Sequence, residues 1–204
     1  MKKTWKKSPV SWVLLSICVV VYGYTRLRFG TNMNAYEALQ VGGLLPPLIT
    51  QEKEWYRLLT ANFIHFDFLH ILCNCYSLYV IAMQLQFEAL LQTKRYLFII
   101  ITSMLFTTGI PCLLYVIFGI GGQTVMGGIS GVIFGLIGAM LLLAMYFKGA
   151  YLRIFKLIYP SVLLTLVLPI FVPSISWIGH ISGMIGGFIS MLLIVICKPL
   201  SIWK

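Results

Sequence analysis

Residues 127–147 read GGISGVIFGLIGAMLLLAMYF, an apolar run that contains no charged side chain. At about 1.5 Å of rise per residue, a helix of this length spans the roughly 30 Å hydrocarbon core of a bilayer. The rest of the chain has the same character, because 60% of the 204 residues are hydrophobic and only 10% are charged. A soluble globular domain has about 45–50% apolar and about 25% charged residues. The sequence therefore predicts an all-α integral membrane protein and excludes a soluble enzyme.

Five further apolar runs accompany this segment, so we expect a bundle of six transmembrane helices in a single membrane domain, residues 1–204. Turn and charge signals such as Gly121-Gly122 and Lys148-Gly149 separate the runs. The predicted spans cover residues 9–25, 68–87, 96–119, 127–147, 155–173 and 175–197. A long loop joins the first two spans, and we expect this first loop to be external and associated with the membrane.

The basic residues predict the orientation of the chain. With a cytoplasmic N-terminus, only Arg26, Arg28, Lys53 and Arg57 of the 15 Lys and Arg residues lie outside, and the other 11 lie inside. This bias follows the positive-inside rule. We therefore expect a multi-pass protein of the plasma membrane with both termini in the cytoplasm. The net charge of +10 is scattered and forms no basic patch with interleaved aromatics, so no nucleic-acid partner is expected.

Four polar residues inside the predicted spans indicate a functional site. They are His70 and Asn74 in the second span, Ser130 in the fourth and His180 in the sixth. Polar groups in a bilayer are costly, so an ionisable one is a functional hypothesis by default. All four lie in the first third of even-numbered spans, which run in the same direction. The sequence therefore predicts one polar layer just below the external face.

Glycines recur at every fourth residue around two of these positions, at 127, 131 and 135 and at 179, 183 and 187. Such repeats form grooves that let two helices approach closely, and facing grooves would bring Ser130 within hydrogen-bond reach of His180. A base beside a serine hydroxyl is the minimum equipment for nucleophilic catalysis. Taken singly, such a serine more often packs or bonds its own helix, and such a histidine more often joins two helices or lines an ion path. Only their conjunction at one depth favours catalysis.

The acidic residues limit the mechanism, because no Asp or Glu follows Glu88. Spans three to six therefore lack a carboxylate for a Ser-His-Asp triad, and we expect a Ser-His dyad without a metal or another cofactor. Phe134 follows Ser130 by one helical turn, so its ring is expected to stack beneath that of His180. The spacing of His65 and His70 does not fit the His-Glu-x-x-His pattern of a zinc protease. An aspartyl protease needs two adjacent carboxylates, which the spans do not provide.

Four stretches of the sequence resemble the rhomboid family of intramembrane serine proteases. They are EWYRLLT at 54–60, FIHFDFLHILCN at 63–74, GISGVIFGL at 128–136 and HISGMIGG at 180–187. They follow the family's order and together cover about residues 54–190. The resemblance implies that Ser130 is the nucleophile and that His180 is the general base and then the general acid. It also implies that Asn74 and His70, with the backbone N–H of Ser130, form the oxyanion hole.

The resemblance also gives supporting roles and shows departures. It implies that Gly128 belongs to the nucleophile motif, and that Phe134 occupies a position often held by tyrosine. At the inner end of the second span, Gln86 stands where the family usually has glutamate, and Glu88 arrives two residues later. Gln92 stands where glycine is common. The departures concern the packing at the inner ends of spans two and three, not the predicted catalytic layer.

These observations predict an intramembrane serine endopeptidase that cleaves transmembrane segments of other membrane proteins near the external side. Its partners would be substrate transmembrane helices that approach laterally through the lipid bilayer and unwind locally, because a helix hides its scissile carbonyl in its own hydrogen bonds. The alternative is a non-proteolytic rhomboid-like chaperone or quality-control protein that binds membrane helices. A transporter is a weaker alternative, since the chain shows no internal repeat.

Overall fold

The computed structural model describes residues 8–147, 152, 153, 156 and 176–197, and these residues are all-α, as predicted. In chain order the helices are α1 (Pro9–Phe29), α2 (Ala35–Gln40), α3 (Pro46–Thr50), α4 (Arg57–Thr60), α5 (Phe68–Leu78), α6 (Phe87–Leu91), α7 (Thr93–Phe118), α8 (Ser130–Phe147) and α9 (Trp177–Cys197). A 3-10 turn (Ala61–Phe63) follows α4, and a π-helix (Tyr79–Gln84) follows α5.

Four of these helices, α1, α7, α8 and α9, are long and apolar enough to cross a bilayer. A fifth candidate is a bent pair, in which the segments 57–63 and 68–83 meet at 94°. The chain is thus a multi-pass membrane protein. The predicted fifth span, residues 155–173, lies outside the described residues except for Lys156, so the count of six spans stays a prediction.

The second predicted span, residues 68–87, is helical from Phe68 to Gln84, but its second part is a π-helix rather than an α-helix. Asp67 caps the start of α5 by accepting a hydrogen bond from the His70 N–H at 2.8 Å. Beyond Leu78 the backbone changes to the π-helix, and Gln86 then adopts a left-handed conformation with φ 53°. This residue ends the span and separates it from the short helix α6.

Other boundaries also differ from the prediction, for example that of α7, which begins at Thr93, three residues before the predicted start. Helix α1 continues to Phe29, four residues beyond the predicted end. Helix α8 begins at Ser130 rather than at residue 127. Gly128 has φ 118°, outside the helical region, and its N–H donates to the Ala61 carbonyl of the first loop at 2.9 Å, so the helix starts after it.

Helix α8 is the centre of the bundle, with 72% of its residues buried against 22% in the apolar stretch of α1. Its backbone touches that of α9. A Cβ added at Gly183 would collide with the Gly131 carbonyl oxygen, and one added at Gly187 would collide with that of Gly135. This confirms that glycine grooves of the two helices face each other. Gly127, which was expected to continue the groove, lies outside the helix and packs against Ile64 instead.

The first loop is folded rather than extended, and a buried arginine connects its parts. Arg57 is 5% exposed, pairs with Glu54 and donates to the carbonyls of Leu39 and Gly43, both at 2.7 Å. Next to Gly43, Leu44 forms an isolated antiparallel bridge with Met126, in the segment before α8. The loop is therefore tied directly to the segment that leads into α8.

A buried carboxylate caps the first helix from a distant part of the chain. Glu88 in α6 is 1% exposed and accepts hydrogen bonds from the N–H groups of Val10 and Ser11 at 2.8 and 2.9 Å. It also accepts one from the Ser11 hydroxyl at 2.6 Å. Pro9 has no N–H, so these bonds occupy donors of the first turn that have no helical acceptor. The positive end of the helix dipole stabilises the carboxylate further.

We expect Glu88→Gln to lower the free energy of unfolding by about 1–3 kcal/mol, because the amide loses the charge and places its NH2 group against one of the two N–H donors of Val10 and Ser11. Thermal unfolding in detergent measures the change. Glu52→Gln is the matched control, since Glu52 is exposed and should tolerate the change. Equal stability of the two variants would contradict this account of the cap.

The backbone at Gln92, between α6 and α7, is strained. It has φ 66° and ψ 152°, a region that residues with a side chain rarely adopt. The resemblance noted above implies a glycine at this position, and the backbone of Gln92 has a conformation suited to glycine. The glutamine therefore bears the strain of this turn.

Candidate active site

Ser130 owes its position to the first loop. Two hydrogen bonds between Leu44 and Met126, at 2.8 and 2.9 Å, hold the segment that precedes α8. The hydrogen bond from the Gly128 N–H to the Ala61 carbonyl holds the same segment two residues before Ser130. Ser130 is the first residue of α8, so no helical hydrogen bond uses its N–H. The serine is thus presented at the positive end of a buried helix.

His180 lies in the first turn of α9, which Ser176 caps. The Ser176 Oγ accepts a hydrogen bond from the Gly179 N–H, and the Ser176 carbonyl accepts one from the His180 N–H, both at 3.1 Å. Serine is a preferred N-cap residue. This local signal sets where α9 begins.

The structure brings Ser130 and His180 together. Ser130 Oγ lies 2.8 Å from His180 Nε2, at hydrogen-bond distance. The ring of Phe134 stacks on the imidazole with centroids 4.4 Å apart and planes inclined by 19°. His180 is 4% exposed, and its Nδ1 has no hydrogen-bond partner within the described ranges. Packing, rather than a carboxylate, therefore holds the imidazole in that part of the chain.

His70 and Asn74 of α5 converge on the backbone just before the serine. A Cβ added at Gly128 would lie 2.7 Å from His70 Nε2 and 3.5 Å from Asn74 Nδ2. Since Gly128 also has a positive φ, glycine satisfies both the conformation and the close approach. Asn74 Nδ2 is buried and has no partner among the residues that the structure describes, so it is an available donor.

A small cavity of about 30 Å³ lies beside these groups. Ser130, His180 and His70 line it on one side, and Asn62 of the 3-10 turn and Thr107 of α7 are among its other lining residues. These five side chains bring hydroxyl, imidazole and amide groups to one space, which Leu44, Ala61 and Met126 also line.

Comparison with known proteins identifies the family of the chain. A sequence model of the Rhomboid domain matches residues 52–197, which is most of the chain. The chain belongs to the rhomboid family.

It is 25% identical over 183 residues to rhomboid protease GluP of Bacillus subtilis (strain 168), an alignment that covers 89% of this chain and 34% of that protein. It is 31% identical over 156 residues to RHOMBOID-like protein 5 of Arabidopsis thaliana, covering 72% and 46% respectively. The chain thus spans between a third and a half of the length of these two relatives.

The site of this rhomboid contains the elements of acyl-transfer chemistry. A hydroxyl lies against an imidazole that can accept its proton, and N–H donors lie close by where a negative oxygen could be stabilised. In the described ranges no carboxylate bonds the imidazole. The arrangement is therefore a pair rather than a triad in that part of the molecule.

Two buried polar residues of this rhomboid site were not selected from the sequence. Asn62 is 1% exposed, and His65 is fully buried, with its ring edge-on to that of His70 at 5.0 Å. Both lie in the first loop, outside every predicted span. The search for polar residues inside predicted spans therefore did not select them. The contact with His70 depends on the tertiary fold, and no spacing pattern in the sequence would have revealed it.

Proposed function

We propose that this rhomboid is an intramembrane serine endopeptidase that cleaves transmembrane segments of other membrane proteins with Ser130 and His180 as a dyad. The observation that carries the proposal is the 2.8 Å distance between Ser130 Oγ and His180 Nε2. With the imidazole neutral and protonated at Nδ1, the serine hydroxyl donates to Nε2. His180 then takes this proton as Ser130 Oγ attacks the scissile carbonyl, and returns it to the leaving amine.

The oxyanion of the tetrahedral intermediate would accept hydrogen bonds from three donors. They are the Asn74 side-chain amide, the His70 imidazole and the backbone N–H of Ser130. The free Nδ2 of Asn74 and the close approach of His70 to Gly128 support this assignment. Each such donor typically contributes about 10²–10³ in rate. Phe134 holds the imidazole in plane, and Gly128 leaves room for the two side chains.

The substrate would reach the site from the lipid with its helix locally unwound, near the external face. The first loop supports this location, since Trp55, Tyr56 and Leu59 are each more than half exposed on it. Exposed aromatic and apolar side chains of this kind suit the membrane interface. The site would then lie just beneath a loop that rests at the outer surface of the plasma membrane.

A fluorophosphonate probe tests the dyad directly. We expect the probe to modify Ser130 in detergent-purified protein, with the site identified by peptide mass spectrometry, because a hydroxyl beside a base is an activated nucleophile. His180→Ala keeps the hydroxyl and removes the base, so its labelling rate should fall by about 10²–10⁴-fold. Absence of labelling in the unmodified protein would instead support the non-proteolytic alternative, a membrane chaperone or quality-control protein.

Cysteine accessibility tests the orientation. In a variant without the five native cysteines, Gln51→Cys in the first loop should react with a membrane-impermeant maleimide in intact cells. Gly149→Cys, between the fourth and fifth predicted spans, should react only after the membrane is permeabilised, because the excess of basic residues predicts a cytoplasmic position. The reverse pattern would place the dyad at the cytoplasmic face.

A further inference from the structure

Asn62 is a buried polar residue for which the proposed chemistry has no role so far. Its Nδ2 donates to the carbonyls of Leu58 and Leu59 at 3.0 and 3.2 Å. These bonds fix the orientation of the amide, because the opposite orientation would point Oδ1 at two carbonyl oxygens. Oδ1 is therefore an acceptor held in one place.

This acceptor has no hydrogen-bond partner within the described part of the chain. Buried polar atoms are generally paired with protein groups or with bound water, since an unsatisfied one destabilises the fold. Asn62 is 1% exposed and lines the same cavity as Ser130 and His180. Because Nδ2 already donates to carbonyls of α4, Oδ1 is the atom of Asn62 that can still bond a molecule in this cavity.

The cavity suits water in size and in lining. Its volume of about 30 Å³ has room for about one or two water molecules. A bound water needs two to four polar partners, and Asn62, Thr107, Thr108, Ser130 and His180 all line the space. Thr107 and Thr108 already donate their hydroxyl hydrogens to backbone carbonyls, so their oxygens can only accept. Water can donate to such acceptors.

We propose that Asn62 is a positioning residue whose Oδ1 accepts a hydrogen bond from the water that hydrolyses the acyl-enzyme; the inference rests on the proposed function. The water oxygen attacks the ester carbonyl on Ser130, and His180 Nε2 takes one proton from the water. The bond between the carbonyl carbon and Ser130 Oγ then breaks, and the proton returns from His180 to Ser130 Oγ as the carboxylic acid leaves. Asn62 gains and loses no proton, but holds the second O–H of the water.

The test separates acylation from deacylation with an acetyl-alanyl p-nitrophenyl ester. The burst of p-nitrophenol reports acylation of Ser130, and the steady-state rate reports hydrolysis of the acyl-enzyme. Asn62→Leu removes the acceptor at similar volume, so we expect an unchanged burst and a steady-state rate lowered about tenfold, the effect of one hydrogen bond. Acyl-enzyme should accumulate on Ser130 and be detectable by mass spectrometry after an acid quench.

Two further variants complete the design. Leu44→Val changes the wall of the same cavity without removing a polar atom, and should leave the ratio of the two rates unchanged. Asn62→Thr lacks Oδ1 but can donate to the Leu58 carbonyl, as Thr60 does to that of Tyr56, and should reproduce the Asn62→Leu result if the leucine variant does not fold.

The outcomes are distinct. If the burst and the steady-state rate fall by the same factor, or if neither changes, Asn62 has no role in positioning water and the inference is overturned while the dyad stands. If the unmodified protein shows neither a burst nor fluorophosphonate labelling, the proposed function fails, and the inference fails with it.

Discussion

Replacing Ser130 by alanine is expected to abolish cleavage of membrane substrates while leaving the fold intact. Without the nucleophile no acyl-enzyme forms, and the rate should fall by about 10⁵-fold or more, toward the uncatalysed background. The Ser130 side chain bonds only His180 among the described residues, so the free energy of unfolding should change by at most about 1–2 kcal/mol. Cleavage of a transmembrane substrate in reconstituted vesicles and thermal unfolding in detergent measure the two quantities.

Ser190→Ala is the matched control for this experiment. Ser190 is fully buried on α9, and its hydroxyl donates to the Gly186 carbonyl at 2.5 Å, far from the polar cavity. The Ser190→Ala variant should cleave the substrate at nearly the rate of the unmodified protein. Retained cleavage in Ser130→Ala would eliminate the dyad as the origin of any proteolysis.

Gly187→Ala is expected to produce the largest structural effect of any single methyl group along the contact between α8 and α9. The added Cβ would overlap the carbonyl oxygen of Gly135, and backbone atoms cannot rotate away as a side chain could. The helices must separate, at a cost of about 1–3 kcal/mol or more in stability. Ser130 and His180 lie on these two helices, and a displacement of about 1 Å can lower a catalytic rate about 10²-fold. We therefore expect stability and cleavage to fall together.

Gly109→Ala provides the comparison, because a Cβ added at Gly109 in α7 has no atom within 4 Å. Alanine forms helices better than glycine, so this variant should be as stable as the unmodified protein or slightly more stable. Unfolding by titration with a denaturing detergent can rank the variants. If Gly187→Ala matched Gly109→Ala in stability and activity, the backbones of α8 and α9 could not be in contact.

The contacts of the candidate site around Ser130 and His180 could be predicted, because their signals are local and repeat along helices. Glycines at 131 and 135, and at 183 and 187, indicate two grooves, and each groove fixes which side of its helix faces the other. The contact between Ser130 and His180 follows once the two grooves meet. The stacking of Phe134 on His180 follows in turn from helical spacing, since Phe134 lies one turn from the serine.

Features set by distant contacts could not be predicted. Gln86 and Gln92 adopt conformations with positive φ, although neither glycine nor proline marks the break at these positions. The structure pairs Glu88 with the start of α1, and no local pattern relates these two segments. The start of α8 was misplaced for the same reason, because the bond from Gly128 to Ala61 in the first loop delays the helix.

The π-helix at Tyr79–Gln84 bears on how relatives of this chain are recognised from sequence. It lies between Asn74, beside the candidate site, and Glu88, which caps the start of α1. A π-turn holds more residues than an α-turn, so a helix can absorb an insertion there without displacing side chains on either side. Search patterns that require one spacing between the asparagine and the glutamate would miss such chains. A pattern that treats the outer and inner halves of this helix as separate blocks would retain them.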